Sequence, residues 1–246
     1  MTCTRSMECC RRFGVRVIAT CIVLLIVGSS QLQAQTVDDL GLWTAVFSQG
    51  DIELPDDPEN SRWRWWFDGH ARFQDDAGGF NVSIVRPGIG YKLTDTATIW
   101  GGYGWIRTSP ISGASDFDEN RIWQQITWSE DVDQTKFGFR SRLEQRFVET
   151  GDETGWRIRQ FFSARTPVTD RVTLVAWDEV FINLNDTDFG ARSGFNQNRA
   201  FLGFGWKWNP ETPKSRVEIG YLNQFIDNRN GDDRMNHILS VNFFVL

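Results

Sequence analysis

The chain after residue 34 consists of short segments in which apolar and polar residues alternate with a period of two. The clearest is 136–148, where one parity is charged and the other is mostly apolar. The charged positions are Lys136, Arg140, Arg142, Glu144 and Arg146, and the apolar ones are Phe137, Phe139, Leu143 and Phe147. Successive residues of a β-strand point to opposite faces, whereas a helix would scatter these charges around its axis. The pattern therefore predicts a strand with one charged and one apolar face.

Ten segments of this kind follow one another from Arg62 to the C-terminus, separated by turn residues. Their predicted bounds are 62–73, 80–93, 97–108, 121–129, 136–148, 156–166, 172–184, 198–208, 215–226 and 235–246. The two longest connections between them, 109–120 and 185–197, fall at the end opposite the C-terminus. Longer loops at one end and short turns at the other are typical of outer-membrane β-barrels.

A further strand-like piece, Leu40 to Phe47, precedes these ten and is followed by an acidic, proline-containing stretch. Counting it gives eleven strands, and an odd number requires a parallel closing pair, which is rare in bacterial barrels. We therefore predict an all-β fold, a transmembrane antiparallel β-barrel of ten strands, with twelve as the alternative if one was overlooked. The predicted boundaries are a signal peptide at 1–34, an N-terminal strand and acidic loop at 35–61, and the barrel at 62–246.

The first 34 residues have the pattern of an export signal. Four arginines precede an apolar run, Val17 to Val27, that is too short to span a bilayer as a helix. Leu32-Gln33-Ala34 is a suitable cleavage site. All four cysteines precede this site, so the exported chain would hold no disulfide and no cysteine-based zinc site. These cysteines are Cys3, Cys9, Cys10 and Cys21.

Alternation alone does not separate a membrane barrel from a soluble one, because the two differ in which face meets the solvent. The export signal, the cysteine-free remainder and the aromatic end of the last strand, Asn242 to Leu246, favour the membrane barrel. Aromatic residues also stand at strand ends, where membrane barrels have interfacial girdles. They are Trp63, Phe73, Tyr91, Trp128, Trp156, Trp206 and Trp208. An arginine facing lipid at mid-depth costs about 2–4 kcal/mol, so we assign the charged faces to the interior.

Five sequence pieces resemble a bacterial family called domain of unknown function 2490. In order they are Arg140–Phe147 (RSRLEQRF), Trp156–Gln160 (WRIRQ), Asp178–Leu184 (DEVFINL), Gln197–Arg199 (QNR) and Gly220–Phe225 (GYLNQF). The resemblance extends from about Leu40 to the C-terminus and implies an outer-membrane β-barrel. It implies no activity and no catalytic residues. One departure concerns the assembly signal, because many such barrels end in an aromatic residue and this chain ends in Leu246.

Strand parity predicts a lumen lined mainly by arginine. The predicted lining residues are Arg62, Arg64, Asp68, His70, Arg72, Arg86, Arg140, Arg142, Glu144, Arg146, Arg157, Arg159, Arg165, Glu179, Arg199, Arg216 and Glu218. With Lys136 and Lys207, the inward cations number fourteen against four acids, although the whole chain has a formal charge of −6. The remaining acids are therefore expected in loops. Asp178 and Glu179 are adjacent, so one must point outward or a bulge must absorb it.

Two interpretations of this lumen stay open. It passes or binds a small anion, because guanidinium groups suit phosphate and carboxylate, or it is closed by Arg–Glu pairs in a non-conducting structural or adaptor barrel. The expected partners are outer-membrane lipid, lipopolysaccharide, small anions and the barrel-assembly machinery, with no nucleic acid. The expected location is the outer membrane of a Gram-negative bacterium. We expect no cofactor and no metal site, and the acidic loops, such as Asp116 to Glu119, are interpreted as solvated.

A hydrolase is the third hypothesis, and the histidines argue against it. The sequence contains two, His70 and His237. His70 is predicted to face the lumen beside Asp68. His237 and Ser240 have opposite parity and would lie on opposite sides of the wall, which does not suit a nucleophile and its base.

Overall fold

The computed structural model describes residues 36–54, 61–208, 215–228 and 231–245. The predicted signal peptide at 1–34 lies outside these residues. Eleven strands occupy most of the described chain. They are β1 Thr36–Asp51, β2 Trp63–Gln74, β3 Gly79–Lys92, β4 Ala97–Thr108, β5 Phe117–Val132, β6 Thr135–Val148, β7 Thr154–Pro167, β8 Val172–Asn183, β9 Gly194–Trp206, β10 Arg216–Ile226 and β11 Asp233–Val245. Among the described residues, no helix is long and apolar enough to cross a membrane.

The strands form one closed barrel, in which each strand pairs antiparallel with the next along the chain. Closure comes from a parallel pair, β1 with β11, whose register runs from Thr36 opposite Asp233 to Ser48 opposite Val245. The predicted all-β barrel is therefore confirmed, and its predicted count of ten or twelve strands is corrected to eleven. In this parallel pair, the backbone N–H and C=O groups that would be unpaired at the open edges of β1 and β11 form hydrogen bonds with each other.

The predicted boundary at Arg62 is also wrong, because β1 belongs to the barrel wall. Sequence alternation suggested a strand over 40–47, whereas β1 covers Thr36–Asp51. Its acidic beginning, which includes Asp38 and Asp39, resembled a loop by composition. Those residues are nevertheless paired with the start of β11, opposite Met235 and Asn236.

Engineered cysteines can test the parallel closure, since the chain has no native cysteine after residue 21. Thr44 and Val241 are opposite each other across the β1–β11 pair. We expect the double variant Thr44→Cys/Val241→Cys to form a disulfide, because paired Cα atoms lie within disulfide range. After heat denaturation, it should migrate faster on a gel without reductant than with it, in a background lacking the four native cysteines.

The control places the second cysteine farther along the same strand. In Thr44→Cys/Val245→Cys the two positions are about 13 Å apart along the strand direction, which is too far for a disulfide. Equal cross-linking of both variants, or of neither, would contradict the parallel register.

The two ends of the barrel differ. The end at which β1 and β11 begin carries the connections 109–116 and 184–193, and we call it the loop end. As predicted, it lies opposite the C-terminus. The connection 52–62, however, is at the C-terminal end and is as long as any at the loop end. Loop length therefore separates the ends less cleanly than predicted.

The two faces of the wall have opposite character. Each of the eleven strands exposes at least one large apolar side chain on the outer face, as Ile89, Ile126, Phe162, Leu202 and Leu239 illustrate. Trp63, Trp128, Trp156 and Trp206 are exposed near strand ends. The inward parity instead carries the buried charged residues. Of the adjacent acids in β8, Glu179 is buried inside, whereas Asp178 lies on the other face and accepts a hydrogen bond from Asn198 Nδ2 at 2.9 Å.

Two glycines make room for a large ring inside the barrel. A Cβ atom on Gly88 or Gly102 would lie 2.5 or 2.3 Å from the nearest ring atom of Trp123. Such distances are far below van der Waals contact, so neither position accepts a side chain while Trp123 keeps its place. These two glycines, one in β3 and one in β4, therefore leave the space that the ring of Trp123 occupies.

Candidate functional site: the barrel interior

The interior of the barrel is packed with side chains at mid-height. Arg142 is 1 % exposed, and Glu144 and Trp123 are 0 % exposed. In an open aqueous channel, inward side chains would be accessible from the lumen. Their burial means that they fill the space between the walls. The chemistry of the interior is thus that of enclosed charges that must find partners among themselves.

Glu144 is the most heavily used carboxylate. Its oxygens accept hydrogen bonds from Arg157 Nη2 at 2.6 Å and Arg159 Nη1 at 2.7 Å. Arg121 and Arg142 also approach it, with N···O distances of 3.8 and 3.7 Å. The register explains the meeting, because Glu144 of β6 lies directly opposite Arg157 of β7. A single acid therefore compensates several buried cations.

Two further carboxylates extend this arrangement into a continuous network. Glu179 binds Arg140 at 2.6 Å and Arg159 at 2.8 Å. Glu119 binds both Arg121 and Arg146 at 2.6 Å. Because Arg159 contacts Glu144 as well as Glu179, the contacts run without a break from β5 to β8. We call this set the Arg–Glu network; it comprises Arg121, Arg140, Arg142, Arg146, Arg157, Arg159, Glu119, Glu144 and Glu179.

Two smaller ionic groups lie beside the network. Asp68 accepts hydrogen bonds from Trp66 Nε1 at 2.6 Å and Arg86 Nε at 2.8 Å, and its other contact is His70 at 2.7 Å. Glu218 accepts from Arg165 and Arg216, at 3.2 and 2.8 Å. Every buried acid of the interior is thus bound by at least two cationic or N–H donors.

Aromatic rings complete the filling. Arg142 lies over Trp123 with its guanidinium carbon 4.6 Å from the ring centre, and Arg159 and Arg199 both lie 4.5 Å from the centre of Phe181. Stacking of this kind stabilises a desolvated guanidinium without neutralising it. Beside it, an apolar cluster fills the part of the interior next to β1 and β8–β11. Its members are Trp43, Val175, Phe201, Leu222 and Ile238, with Trp177 packed against them.

Residues 40–236 match the family described as "Protein of unknown function (DUF2490)". The chain belongs to this family. This confirms the resemblance found in the sequence. The DUF2490 chain is also 32 % identical, over 228 residues, to an uncharacterized protein of Methylorubrum extorquens, and the alignment covers 90 % of this chain and 93 % of that protein.

Among solved structures, the chain aligns with the outer-membrane protein OmpT of Vibrio cholerae. The outer-membrane expressed form gives a TM-score of 0.39 at 13 % identity, with 74 % of this chain and 61 % of the other covered. The trimer form folded in vitro gives 0.39 at 16 % identity, with 73 % and 60 % covered. The DUF2490 chain thus spans about three fifths of the length of these OmpT chains.

Most of the predicted lining residues face the interior of the DUF2490 barrel, but three cations lie at its rim, at the end where β11 finishes. Arg62 precedes β2, is exposed, and lies over the outward ring of Tyr91, 5.1 Å from its centre. Lys136 is exposed and pairs with Asp131 at 3.7 Å. Lys207 lies beyond the end of β9. These residues stand at strand ends, outside the packed part of the interior.

Arg64 is also close to this rim, and its guanidinium Nε lies 2.8 Å from Asp51. The other predicted residues stand within the strands, on the inward parity. They are Asp68, His70, Arg72, Arg86, Arg140, Arg142, Glu144, Arg146, Arg157, Arg159, Arg165, Glu179, Arg199, Arg216 and Glu218.

One acid and one cation of the interior were not predicted from the sequence. Glu119 was interpreted as part of a solvated acidic loop, whereas it is 4 % exposed and lies within β5. Arg121, its partner, shares its parity and is also buried. The acidic run from Asp116 concealed the start of β5. The signal that could have found it is the alternation of Glu119, Arg121, Trp123 and Gln125 on one parity.

His237 and Ser240 lie on opposite faces of the barrel wall. Ser240 is buried inside and accepts from Asn242 Nδ2 at 3.0 Å, while His237 lies on the outer parity with its Nδ1 2.6 Å from the Tyr221 hydroxyl. Among the described residues, no group of three or more His, Asp and Glu side chains could hold a metal ion.

A loop covers part of the interior at the loop end. In the connection 184–193, Asp188 accepts hydrogen bonds from the backbone N–H groups of Asp152 and Glu153, at 2.7 and 3.3 Å. The backbone N–H of Asp188 donates in turn to Glu153 Oε2 at 2.8 Å. The neighbouring ring of Phe189 lies 5.5 Å from the Arg146 guanidinium. The β6–β7 and β8–β9 connections are thus fastened together above the Arg–Glu network.

This fastening is expected to depend on pH. The N–H groups of Asp152 and Glu153 lower the pKa of the Asp188 carboxyl below its ordinary 3.8. Since the folded-state pKa is depressed, the stabilisation is present above pH 3.8 and is lost as the pH falls through the depressed value. We expect the amide proton shifts of Asp152 and Glu153 to titrate together by NMR, with a midpoint below 3.8.

Asp188→Asn should remove this titration, whereas Asp186→Asn, in the same connection, should leave it in place. A midpoint at or above 3.8 in the unsubstituted chain would show that the hydrogen bonds to Asp188 are not formed in solution.

Proposed function

We propose that this DUF2490 protein is an outer-membrane β-barrel of a Gram-negative bacterium and that its packed interior does not conduct ions. The carrying observation is the burial of the interior side chains at mid-height, where Trp123 and Glu144 are 0 % exposed and Arg142 is 1 % exposed. A barrel of this kind serves as a structural or adaptor element of the membrane. Its surfaces available to other molecules are the lipid-facing wall and the rims.

The membrane location is supported by the arrangement of the two faces. A soluble barrel buries its apolar residues and wets its charged ones, whereas this barrel exposes large apolar side chains on every strand and buries charged ones inside. Outer-membrane lipid and lipopolysaccharide are therefore proposed as its direct surroundings. Barrel-assembly machinery is the proposed route of insertion, because a β-barrel must close its strands as it enters a bilayer.

An anion-selective pore is the second candidate, favoured by the excess of cations over acids inside. The buried arginines include Arg86, Arg142 and Arg199, whereas each buried acid already has two or more donors. Net positive charge in an enclosed space attracts anions and repels cations. Conduction would require the Arg–Glu network or the connection 184–193 to move aside.

A planar-bilayer recording separates the two candidates. We expect the full-length chain, reconstituted under conditions in which a general porin conducts, to show no steady current at moderate voltage. Insertion is verified on the same sample by a heat-dependent shift in gel mobility. Steady, anion-selective steps that diminish in Arg142→Gln would overturn the non-conducting proposal and support the pore.

We also propose that the protein is not a hydrolase. The outward position of His237 and the inward position of Ser240 support this. Phospholipid or peptide hydrolysis by the purified protein that disappears in His237→Ala would contradict the proposal.

A further inference from the structure

Among the described residues, eight buried side-chain nitrogens have no hydrogen-bond acceptor, and three of them gather around the ring of Trp43. These three are Trp43 Nε1, Arg72 Nε and Arg199 Nε. Trp43 and Arg199 are more than nine-tenths buried, with exposures of 7 % and 8 %. A buried donor without an acceptor costs about 1–3 kcal/mol, and more when the donor is charged. We call these three residues the donor cluster.

The donor cluster is one place and not three separate defects. The guanidinium carbons of Arg72 and Arg199 lie 3.9 and 4.9 Å from the centre of the Trp43 ring. Trp43 comes from β1, Arg72 from β2 and Arg199 from β9, so the cluster joins distant parts of the wall across the interior. All three groups are donors, and an arginine or tryptophan side chain offers no acceptor in return.

The cluster also has no direct ion pair. Glu179 lies opposite Arg199 in the β8–β9 register, but its carboxylate is bound to Arg140 and Arg159. Asp68, on the same strand as Arg72, is bound to Arg86 and His70. No carboxylate of the described residues lies within 4.0 Å of either guanidinium, in contrast to the Arg–Glu network.

Arg72 and Arg199 are two like charges that lie over the same ring, that of Trp43. Burial of two like charges without a carboxylate in direct contact is unfavourable, so an additional negative charge at this place would stabilise the fold.

We propose that the donor cluster is a binding site for one small oxyanion of the phosphate or carboxylate class. Such an anion supplies acceptors to the three donors and offsets one guanidinium charge as a carboxylate or both as a phosphate dianion, whereas a water molecule would supply the acceptors alone. Arg72 lies two residues before the end of β2, at the loop end, so the route of entry leads from that end. The proposal depends on the closed barrel but not on whether the barrel conducts.

The test measures the thermal unfolding of the full-length chain, refolded in zwitterionic detergent, with inorganic phosphate as the probe. We expect the unfolding midpoint to rise with phosphate concentration and to saturate, because a ligand that binds only the folded state stabilises it. Sodium HEPES at equal ionic strength serves as the reference. In Arg72→Gln and Arg199→Gln, the apparent affinity for phosphate should fall at least about tenfold.

The matched control is Arg64→Gln, which removes an arginine of the same strand whose partner is Asp51 at the rim. It should retain the phosphate response of the unsubstituted chain. Trp43→Phe keeps an aromatic ring and removes the Nε1 donor, so it should weaken the response without abolishing folding. In HEPES alone, Arg199→Gln is expected to be as stable as the unsubstituted chain or more stable, because a buried charge without a direct ion pair has been removed.

Several results would overturn the proposal. They are the absence of any phosphate response, an equal response in Arg72→Gln and Arg64→Gln, and a midpoint that follows ionic strength in place of anion identity. A response to phosphatidylglycerol in the micelle without a response to free phosphate would assign the anion to a lipid headgroup and would likewise overturn it. Silence in planar bilayers together with a saturable phosphate response would leave both this site and the non-conducting barrel standing.

Discussion

Replacement of Glu144 by glutamine is expected to destabilise the barrel by about 3–5 kcal/mol. Glu144 is fully buried and binds Arg157 and Arg159 directly, with two more guanidinium groups within 4.0 Å. The substitution preserves shape and volume but removes the negative charge. Four cations would then face one another in an enclosed space with one acceptor fewer. The effect is measured as the shift of the urea unfolding midpoint in phospholipid vesicles.

The matched control for this prediction is Glu130→Gln, which makes the same chemical change at an exposed position in β5. It should change the free energy of unfolding by less than about 0.5 kcal/mol. The double variant Glu144→Gln/Arg157→Gln should recover part of the loss, because Arg157 has its carboxylate contact with Glu144. A loss that is equal in the single and double variants would indicate packing, and not charge compensation, as the role of Glu144.

Replacement of Ile126 by arginine is expected to cost about 2–4 kcal/mol in a bilayer. Ile126 lies near the middle of β5 on the outer face and is 39 % exposed, beside the likewise exposed Ile99 of β4. If the outer wall meets lipid tails, the new guanidinium is placed at the least favourable depth. The measurement is the free energy of unfolding in vesicles, together with the fraction of chain that acquires heat-dependent gel mobility.

Leu93→Arg is the control, since Leu93 has a similar exposure but lies in the turn between β3 and β4. At this depth the cost should be about 0–1 kcal/mol. Equal effects at the two positions would mean that the outer wall does not meet a hydrocarbon layer, and the proposed membrane location would be wrong.

Local alternation was sufficient to assign most side chains to a face, because parity in a strand depends on the backbone alone. Arg140, Arg142 and Glu144 were assigned to the interior before any pairing was known. The assignment was wrong at strand ends, as for Arg62, which lies at the rim, outside the packed part of the interior. It was incomplete for Glu119, because an acidic run resembled a loop and its compensating partner, Arg146, lies on another strand.

Barrel closure could not be predicted locally. The partner of β1 is β11, almost two hundred residues later, and the pairing is parallel. Asp38 and Asp39 give β1 a loop-like beginning, and only the unpaired edge of the last strand makes their extended conformation favourable. The strand count therefore depended on a contact between the two ends of the described chain.

By itself, the sequence determined the fold class, the family and the inward direction of the charged faces, since each depends on short-range alternation or on similarity along the chain. The tertiary structure decided that the interior is filled, that each buried acid contacts two or more donors, and that Trp43, Arg72 and Arg199 come together with N–H groups that have no acceptor. The physical reason is separation along the chain. These side chains come from strands far apart in the sequence, and only the closed barrel brings them within contact distance inside.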